Sequence, residues 1–232
     1  MSTPLEPHRP RLSVRLTAAS IPDHDITDDA VLSGVDYAGV DLSGRRAELL
    51  DVEGCRFRDV RLGDGRWRRA TLSDSVLESC DLANLELVDS GTQRVRIGGS
   101  RLTGLVASGC SVNNTAIVDG IADLSNWRFA KLDRVVFDGC RLIAADFTSS
   151  TLTNVTFVDC DLSGADMTQV GVKGVRISRC TLTGLRGVAS LSGASIDPLN
   201  LLDLTLDLAA ALGITIEVTE GAEAEHPTSG RA

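Results

Sequence analysis

The most regular feature of the sequence is an apolar residue at every fifth position from Leu32 to Leu182. This register contains 31 positions, and only Thr92 among them is polar. Because 43% of the chain is hydrophobic, about 13 apolar residues would be expected there by chance. A period of five fits neither an α-helix, with 3.6 residues per turn, nor a plain β-strand, with an alternation of two. The pattern therefore predicts one elongated repetitive domain.

The residues around each fifth position define a five-residue unit. The residue on the register is called the centre of its unit. The residue two places before the centre is usually small, and the residue two places after it is Gly, Asp or Asn in 20 of the 31 units. Those three residue types tolerate a positive φ angle and favour tight turns. Each unit is therefore predicted to be a short extended side with two inward side chains, followed by a corner. Arg45 occupies an inward position, and we expect it to escape outward because an unpaired buried cation is costly.

Several units share a motif, including Val40-Asp41-Leu42-Ser43-Gly44, Cys160-Asp161-Leu162-Ser163-Gly164 and Ala165-Asp166-Met167-Thr168-Gln169. This pattern resembles the A-(D/N)-L-x-x motif of the pentapeptide-repeat family, and the resemblance covers roughly residues 30–186. It implies an all-β fold, a right-handed quadrilateral β-helix in which four units make one coil of twenty residues. About seven to eight coils are expected.

A spacing of twenty residues also sorts the inward side chains by size. One column is uniformly bulky and another is uniformly small, as a core of like residues stacked on like would require. The predicted core ladder contains Tyr37, Phe57, Phe137, Phe157, Cys140, Cys160 and Cys180.

The regions outside the repeat are predicted to cap it. Residues 1–29 form an N-terminal tail with a cap strand at residues 11–16, where apolar residues alternate. Residues 187–218 form a C-terminal element: a helix begins at Asp197-Pro198 and ends at Gly213, and a strand follows at residues 214–218. Residues 219–232 are acidic and predicted to be disordered.

The C-terminal helix carries more leucines than one face can bury. Several quinolone-resistance members of the family end in a similar helix and dimerise through it, so the resemblance implies a homodimer. The candidate contact residues are Leu201, Leu204, Leu208 and Leu212. A helix that only caps the last coil is the alternative.

The distribution of charge and of reactive residues argues against catalysis. The three histidines lie outside the repeat, and all six cysteines occupy inward positions rather than C-x-x-C pairs. We therefore expect no enzyme activity, no metal site and no cofactor. An acidic loop at residues 22–29 is read as solvated rather than as a metal cluster. No secretory signal and no apolar run long enough to span a membrane is present, so a cytoplasmic protein is expected.

The net charge of −9 disfavours direct binding to nucleic acid. Residues 30–185, however, hold 20 acidic and 18 basic side chains. Eight arginines gather in an arginine belt at residues 45–69, and direct DNA binding by this belt is a minor alternative. The belt comprises Arg45, Arg46, Arg56, Arg58, Arg61, Arg66, Arg68 and Arg69.

The resemblance to the Qnr and MfpA type of quinolone-resistance protein implies a specific role. Such members present an acidic rod of duplex-like width to DNA gyrase, and so mimic DNA. The candidate acidic interaction patch contains Asp138, Asp146, Asp159, Asp161 and Asp166. The near balance of charge along the repeat leaves a second hypothesis open, a protein-interaction scaffold with an unknown partner.

Overall fold

The strands of the protein wind around a common axis, and each pairs in parallel with the strand one coil away. A computed structural model describes residues 6–215. Tyr37 pairs with Phe57, and Ile117 pairs with Phe137, in two of many pairings offset by twenty residues. The predicted all-β quadrilateral solenoid is confirmed.

The elements are short because each side of a coil holds only one unit. The strands are β1 (Thr17–Ala18), β2 (Val31–Ser33), β3 (Val35–Ala38), β4 (Arg46–Glu48), β5 (Asp51–Glu53), β6 (Arg56–Arg58), β7 (Arg66–Arg68), β8 (Thr71–Ser73), β9 (Val76–Glu78), β10 (Glu86–Val88), β11 (Gly91–Gly98), β12 (Ser111–Val118), β13 (Lys131–Asp138), β14 (Thr151–Thr153), β15 (Thr156–Val158), β16 (Gly171–Lys173), β17 (Arg176–Ser178) and β18 (Ser195–Ile196). The helices are α1 (Pro198–Leu201) and α2 (Thr205–Ala211), with 3-10 turns at Val188–Leu191 and Leu202–Leu204.

The rod has four faces, each named here by the central residues of its units. Face 1 contains positions 32 to 172, face 2 positions 37 to 177, face 3 positions 42 to 182, and face 4 positions 47 to 167, each in steps of twenty. The corner residue two places after each centre has a positive φ angle in all 31 units. Most corners use Gly, Asp or Asn, but Leu124 (φ 57°) and Phe129 (φ 58°) adopt the same conformation, so the fold imposes the turn even on bulky side chains.

The number of turns exceeds the prediction. The column through face 2 contains ten strands, from β1 to β18, and so the solenoid makes about nine turns. The expectation of seven to eight coils was too low because it counted only the uninterrupted register. At the C-terminal end, Ile196 rather than residue 197 pairs with Ile177, and this shift of one residue hides the last rung from a strict five-residue count.

The bulky inward column stacks aromatic rings along the axis. The rings of Tyr37 and Phe57 lie 4.7 Å apart and almost parallel, and those of Phe137 and Phe157 lie 5.0 Å apart. Phe147 from face 4 meets Phe157 edge-on at 5.7 Å. These geometries are the favourable ones for aromatic pairs, beyond the contribution of apolar burial.

Small residues in two of the inward columns also accept hydrogen bonds from the backbone. The N–H of Cys55 donates to Ser75 Oγ (3.1 Å) in the column before face 2, and the N–H of Cys80 donates to Ser100 Oγ (3.0 Å) in the small column before face 3, each in the following coil. A buried backbone N–H without an acceptor is destabilising. Cys and Ser are therefore suited to these positions because they are small and also accept this hydrogen bond.

The N-terminal cap differs from the prediction. Residues 11–16 are not a strand, and Val14 is fully exposed. The short strand is β1, which pairs Thr17 with Val35. The prediction was wrong because the alternating apolar residues do not share a buried side, as the exposure of Val14 shows. Residues 6–11 before them follow the rod axis and bond to corner side chains. The loop that follows is anchored by Tyr37, whose hydroxyl donates to His24 O (2.8 Å).

The C-terminal helix begins where predicted and closes the last coil. Asp197 caps α1 by accepting from the N–H of Leu199 (3.0 Å), with Pro198 in the first turn. Asn200 extends the small column, because its Oδ1 accepts from the N–H of Cys180 (3.1 Å). A 3-10 turn at Leu202–Leu204 interrupts the predicted single helix. The strand predicted at residues 214–218 lies mostly outside the described residues, and residues 214 and 215 are not in a strand.

The expectation for Arg45 is confirmed. Its side chain is 39% exposed, and its Nε donates to Asp25 Oδ1 at 2.8 Å. This contact also assigns a role to the acidic loop at residues 22–29, which supplies the counter-ion. Hydrogen bonding to Arg45 lowers the pKa of Asp25.

The contribution of a buried hydroxyl to stability can be measured at Ser125, an inward residue two places before Trp127. Its hydroxyl accepts from Trp127 Nε1 (2.8 Å) and donates to Ala122 O (2.7 Å), and the residue is fully buried. We predict that Ser125→Ala lowers the free energy of unfolding by about 1–3 kcal/mol, because the indole N–H loses its acceptor. Chemical denaturation measures this loss.

Ser150 provides the matched control. It occupies the same position in its unit and is buried, but its hydroxyl has no hydrogen-bond partner among the described residues. Ser150→Ala should therefore be neutral or stabilising. Equal losses for the two substitutions would contradict the assignment.

Candidate interaction surface

The five predicted acidic residues do not lie on one face. Asp138 is on face 2, Asp159 is at the corner between faces 2 and 3, and Asp161 is on face 3. Asp146 and Asp166 are neighbours in adjacent coils of face 4. The structure therefore divides the predicted patch into an edge group of three residues and a pair on face 4.

Three of these five carboxylates are already paired with arginine. Asp159 forms a two-pronged pair with Arg179, with both distances 2.7 Å. Asp166 contacts Arg186 at 3.1 Å, and Asp146 contacts Arg128 at 3.5 Å. These pairs join residues 18 to 20 positions apart in the sequence, so neighbours in an adjacent coil are not evident from the sequence alone.

Pairing between coils is the general rule on this surface. Within residues 6–215, 12 of the 13 ion pairs join residues that are 18 to 22 positions apart, so they link adjacent coils; Arg134–Asp133 is the exception. Face 3 alternates in sign along the axis, with Asp41, Arg61, Asp81 and Arg101 in successive coils. Most charge on the rod is therefore balanced locally along the axis.

The arginine belt follows the same rule. Arg61 pairs with Asp41 (2.9 Å), Arg66 with Glu86 (3.2 Å) and Arg58 with Asp36 (3.0 Å). These cations are spread over faces 2, 3 and 4 rather than gathered on one. Six of the eight belt arginines form inter-coil pairs within residues 6–215, and this arrangement does not favour the alternative of direct DNA binding.

An acidic edge remains between faces 2 and 3. It is defined here by Asp119, Asp138, Asp159 and Asp161, and within residues 6–215 only Asp159 of the four has an ion-pair partner. Asp119 was missed in the sequence because it lies far from the other three in the chain. Its position, forty residues before Asp159 at the same corner, is the signal that could have found it.

The leucines of the C-terminal helix divide between two sides. Leu204 is fully buried and Leu208 packs against the core, so these two predicted dimer residues point into the rod rather than outward. Leu201 and Leu212 are exposed. Leu199, Leu202 and Leu206 form a further exposed stripe, at 75%, 77% and 67%. The predicted set combined buried and exposed leucines because the sequence does not show which side of the helix packs on the last coil.

The interior offers little room for a ligand. A cavity of about 60 Å³ lies in the middle coils near Ala107 and Trp127. The hydroxyls of Thr92 and Thr115, which line it, are hydrogen-bonded to each other at 2.9 Å. Among residues 6–215 there is no cluster of three or more His, Cys, Asp or Glu side chains placed to hold a metal ion. None of the described helices is long and apolar enough to cross a bilayer.

The cysteines of the core ladder lie in surroundings that keep their thiols unreactive. Cys140, Cys160 and Cys180 are buried and occur as free thiols. Cys160 Sγ donates to Phe137 O (3.4 Å), three residues and one coil away. The neighbouring thiols of Cys140 and Cys180, together with burial, raise the pKa of the Cys160 thiol, which therefore stays protonated and unreactive.

The repeat itself is recognised by comparison with protein families. A family model described as pentapeptide repeats matches in eight copies, with matches at residues 130–169 and 145–184. Residues 130–184 of this chain are made of pentapeptide repeats. The matched region contains the coils in which the aromatic and cysteine columns are most regular.

One curated protein that is similar to this chain has a named role. It is the quinolone resistance pentapeptide repeat protein QnrB96 of Scandinavium goeteborgense, 25% identical over 141 residues. The match covers 56% of this chain and 64% of the relative, so the chain spans less than two thirds of the relative's length.

Solved structures of pentapeptide-repeat proteins are also similar to this chain. A trypsin-treated variant of QnrB1, a plasmid-mediated fluoroquinolone resistance protein, is 17% identical and matches 89% of this chain and 100% of its own, with a TM-score of 0.44. HetL from Nostoc sp. strain PCC 7120, involved in heterocyst differentiation regulation, is 18% identical and matches 72% of this chain and 89% of its own, with a TM-score of 0.35.

The most buried inter-coil ion pair predicts a pH dependence. Asp74 accepts two hydrogen bonds from Arg94, both at 2.6 Å, and is 7% exposed. Hydrogen bonding to Arg94 lowers the pKa of Asp74 below its usual 3.8. The pair therefore stabilises the fold fully above that value, and this stabilisation is lost as the pH falls through the lowered pKa.

We predict that Asp74→Asn lowers the melting temperature at pH 7 and that the difference from the parent shrinks below about pH 4. Thermal melts between pH 7 and pH 2 measure this. Asp89→Asn, at a corner without an ion pair among residues 6–215, should have a smaller effect at pH 7. A deficit for Asp74→Asn that persisted unchanged to pH 2 would contradict the assignment.

Proposed function

We propose that this protein is a non-catalytic rod that binds a protein partner, and that the partner is DNA gyrase. The acidic edge between faces 2 and 3 is the observation that carries the proposal. The likeness to a quinolone-resistance protein supports the choice of partner. A protein groove that binds DNA is lined with cations that attract phosphate, and a rigid line of carboxylates can compete for it.

The spacing of the acidic edge suits this role. Asp119, Asp138 and Asp159 lie in three successive coils, and Asp161 is beside Asp159. Four carboxylates thus fall within two coil steps, roughly 9.6 Å at a strand spacing of about 4.8 Å. One DNA strand carries a charge about every 3.4 Å, a comparable axial density. Arg141 and Arg179 reduce the net charge of the edge, so recognition depends on the individual carboxylates rather than on a broad acidic field.

Charge reversal at the acidic edge tests the proposal. We expect micromolar protein to inhibit gyrase supercoiling, or to protect gyrase from a quinolone. The double variant Asp119→Lys with Asp161→Lys should weaken the effect at least tenfold, about 1.4 kcal/mol. Neither residue has an ion pair among residues 6–215. Asp161 Oδ1 accepts from the N–H and the hydroxyl of Ser163 (3.0 and 2.5 Å), so a thermal melt of the double variant accompanies the assay and must show a folded protein.

The control is Asp89→Lys, at an exposed corner on the diagonally opposite edge between faces 4 and 1. It should act like the parent. An intact protein that left gyrase unaffected at high concentration would contradict gyrase as the partner. An effect that survived the double reversal would show that the acidic edge is not the contact, and would favour a scaffold that uses another face.

We further propose that the protein forms a homodimer through the exposed leucines of its C-terminal helix. The stripe of Leu199, Leu202 and Leu206 is unusually apolar for a monomer surface. A two-fold contact would bury the same stripe on both copies. The rod axes would then continue one another, and the partner surface would be doubled in length.

The double variant Leu202→Glu with Leu206→Glu should convert the dimer to a monomer, as measured by light scattering after size-exclusion chromatography. Leu49→Glu, an exposed leucine at a rod corner, should leave the dimer unchanged. A parent protein that is monomeric at high micromolar concentration would refute the dimer.

A further inference from the structure

The ladder of alternating charge on face 3 is interrupted in its middle coils. The outward position before each centre of this face carries an arginine at Arg101 and again, two coils later, at Arg141. Continued alternation would place a carboxylate between them, but the residue there is Ile121, and it is exposed. The rod does not need an isoleucine at this position, because Thr181 occupies it three coils later.

Ile121 belongs to an apolar cluster on face 3, defined here by the exposed residues Ile121, Leu124 and Ile143. Leu124 lies at the corner between faces 3 and 4, and its N–H donates to Ile143 O in the next coil (2.9 Å). Ile121 and Ile143 lie on opposite sides of successive centres, so they are diagonal neighbours. The cluster therefore spans two adjacent coils.

The other diagonal of the same two coils holds an ion pair. Arg141 Nε donates to Asp123 Oδ2 at 2.7 Å, and Asp123 Oδ1 accepts from the N–H of Ile143 at 3.2 Å. Both oxygens of this carboxylate are thus engaged within the rod. The charges between the two isoleucines neutralise each other, so the cluster offers mainly apolar contact.

Leu124 protrudes from its corner of the rod. The residues at the same corner in the adjacent coils are Gly104 and Ala144, which are both small. The φ angle of Leu124 is 57°, a conformation that is unfavourable for leucine, whereas Asn84 adopts it at the same corner two coils earlier. Because the leucine side chain is exposed, neither backbone conformation nor burial within the rod favours it. Residues held in such conformations often serve a function.

The apolar cluster and the acidic edge share face 3. Within one coil, Asp119 lies at the corner before this face and Leu124 at the corner after it, with Ile121 between them. Asp161 lies on the same face in the coil that follows Ile143. An occupant of the cluster therefore meets carboxylates along one side, which repel a nucleic acid or an anionic membrane surface. The protruding shape at Leu124 does not suit a small molecule, since such ligands bind in clefts.

We propose that Ile121, Leu124 and Ile143 are the apolar anchor of the partner interface, and that they insert into an apolar pocket beside the cations of a protein partner. This inference rests on the proposed function, because it places the anchor next to the acidic edge. The carboxylates accelerate association by attracting the cations, and the anchor slows dissociation. The anchor also provides a contact that the phosphate backbone of DNA does not make.

The kinetics of binding between the full chain and complete DNA gyrase test the anchor. The double variant Ile121→Thr with Leu124→Asn introduces residue types that the rod already uses at the equivalent positions, Thr181 and Asn84. Its dissociation rate should rise at least tenfold, while the association rate and its decrease with salt should match those of the parent. Leu124→Asn alone should give part of this increase. Because these side chains are exposed, the melting temperature should not fall.

The double variant Val31→Thr with Leu49→Asn is the control for apolar surface elsewhere. Both side chains are exposed, and Leu49 has a positive φ of 59° at the corner between faces 4 and 1. Val31 lies on face 1, so neither residue borders the apolar cluster. This variant should associate and dissociate as the parent does.

Reversal of the acidic edge separates the anchor from the proposed function. Asp119→Lys with Asp161→Lys should slow association and flatten its salt dependence. If this variant behaved so while the anchor variant dissociated as slowly as the parent, the anchor would be overturned and the proposed function would stand. A parent protein that did not bind gyrase would overturn both.

Discussion

The hydrogen bonds between coils, each at an offset of twenty residues, are the constraint on which the rest of this protein depends. They hold every inward position directly above its equivalent in the previous coil, as in the pairings of β11, β12 and β13. Stacking then requires side chains of matched size, and the aromatic and cysteine columns satisfy this requirement. The corners must take a positive φ to maintain the offset, and they do so even at Phe129.

The offset of twenty residues also explains how charged side chains pair on the surface. A side chain on one coil has its nearest neighbours on the coils above and below, so an isolated row of like charges would repel itself along the whole rod. Arg61 between Asp41 and Asp81 shows the solution, in which the sign alternates along the axis. Pairing is incomplete at the acidic edge with Asp119 and Asp161, which makes this edge suited to a cationic partner.

Contacts at both ends of the rod follow the same spacing as those within the repeat. Asn200 bonds to Cys180 as one more member of the small column, although it sits in a helix. Tyr37 begins the aromatic column and anchors the preceding loop through His24. Near the N-terminus, His8 and Arg11 bond to Asn114 and Asp74, which lie two coils apart, so this segment also follows the spacing of the coils.

The five-residue pattern by itself determined the fold class, the inward residues and the corners, because a period of five with small and turn-forming neighbours is compatible with few backbones. It also predicted the escape of Arg45, since burying an unpaired guanidinium is unfavourable in any fold. It could not determine which charges meet. The pair Asp159–Arg179 and the absence of Leu204 from the outer surface depend on contacts between segments twenty or more residues apart. The sequence determined the inward residues and the corners of each coil. Only the stacking of the coils decided which outward side chains remain unpaired, because the neighbours of a surface residue lie along the rod axis and not next to it in the sequence.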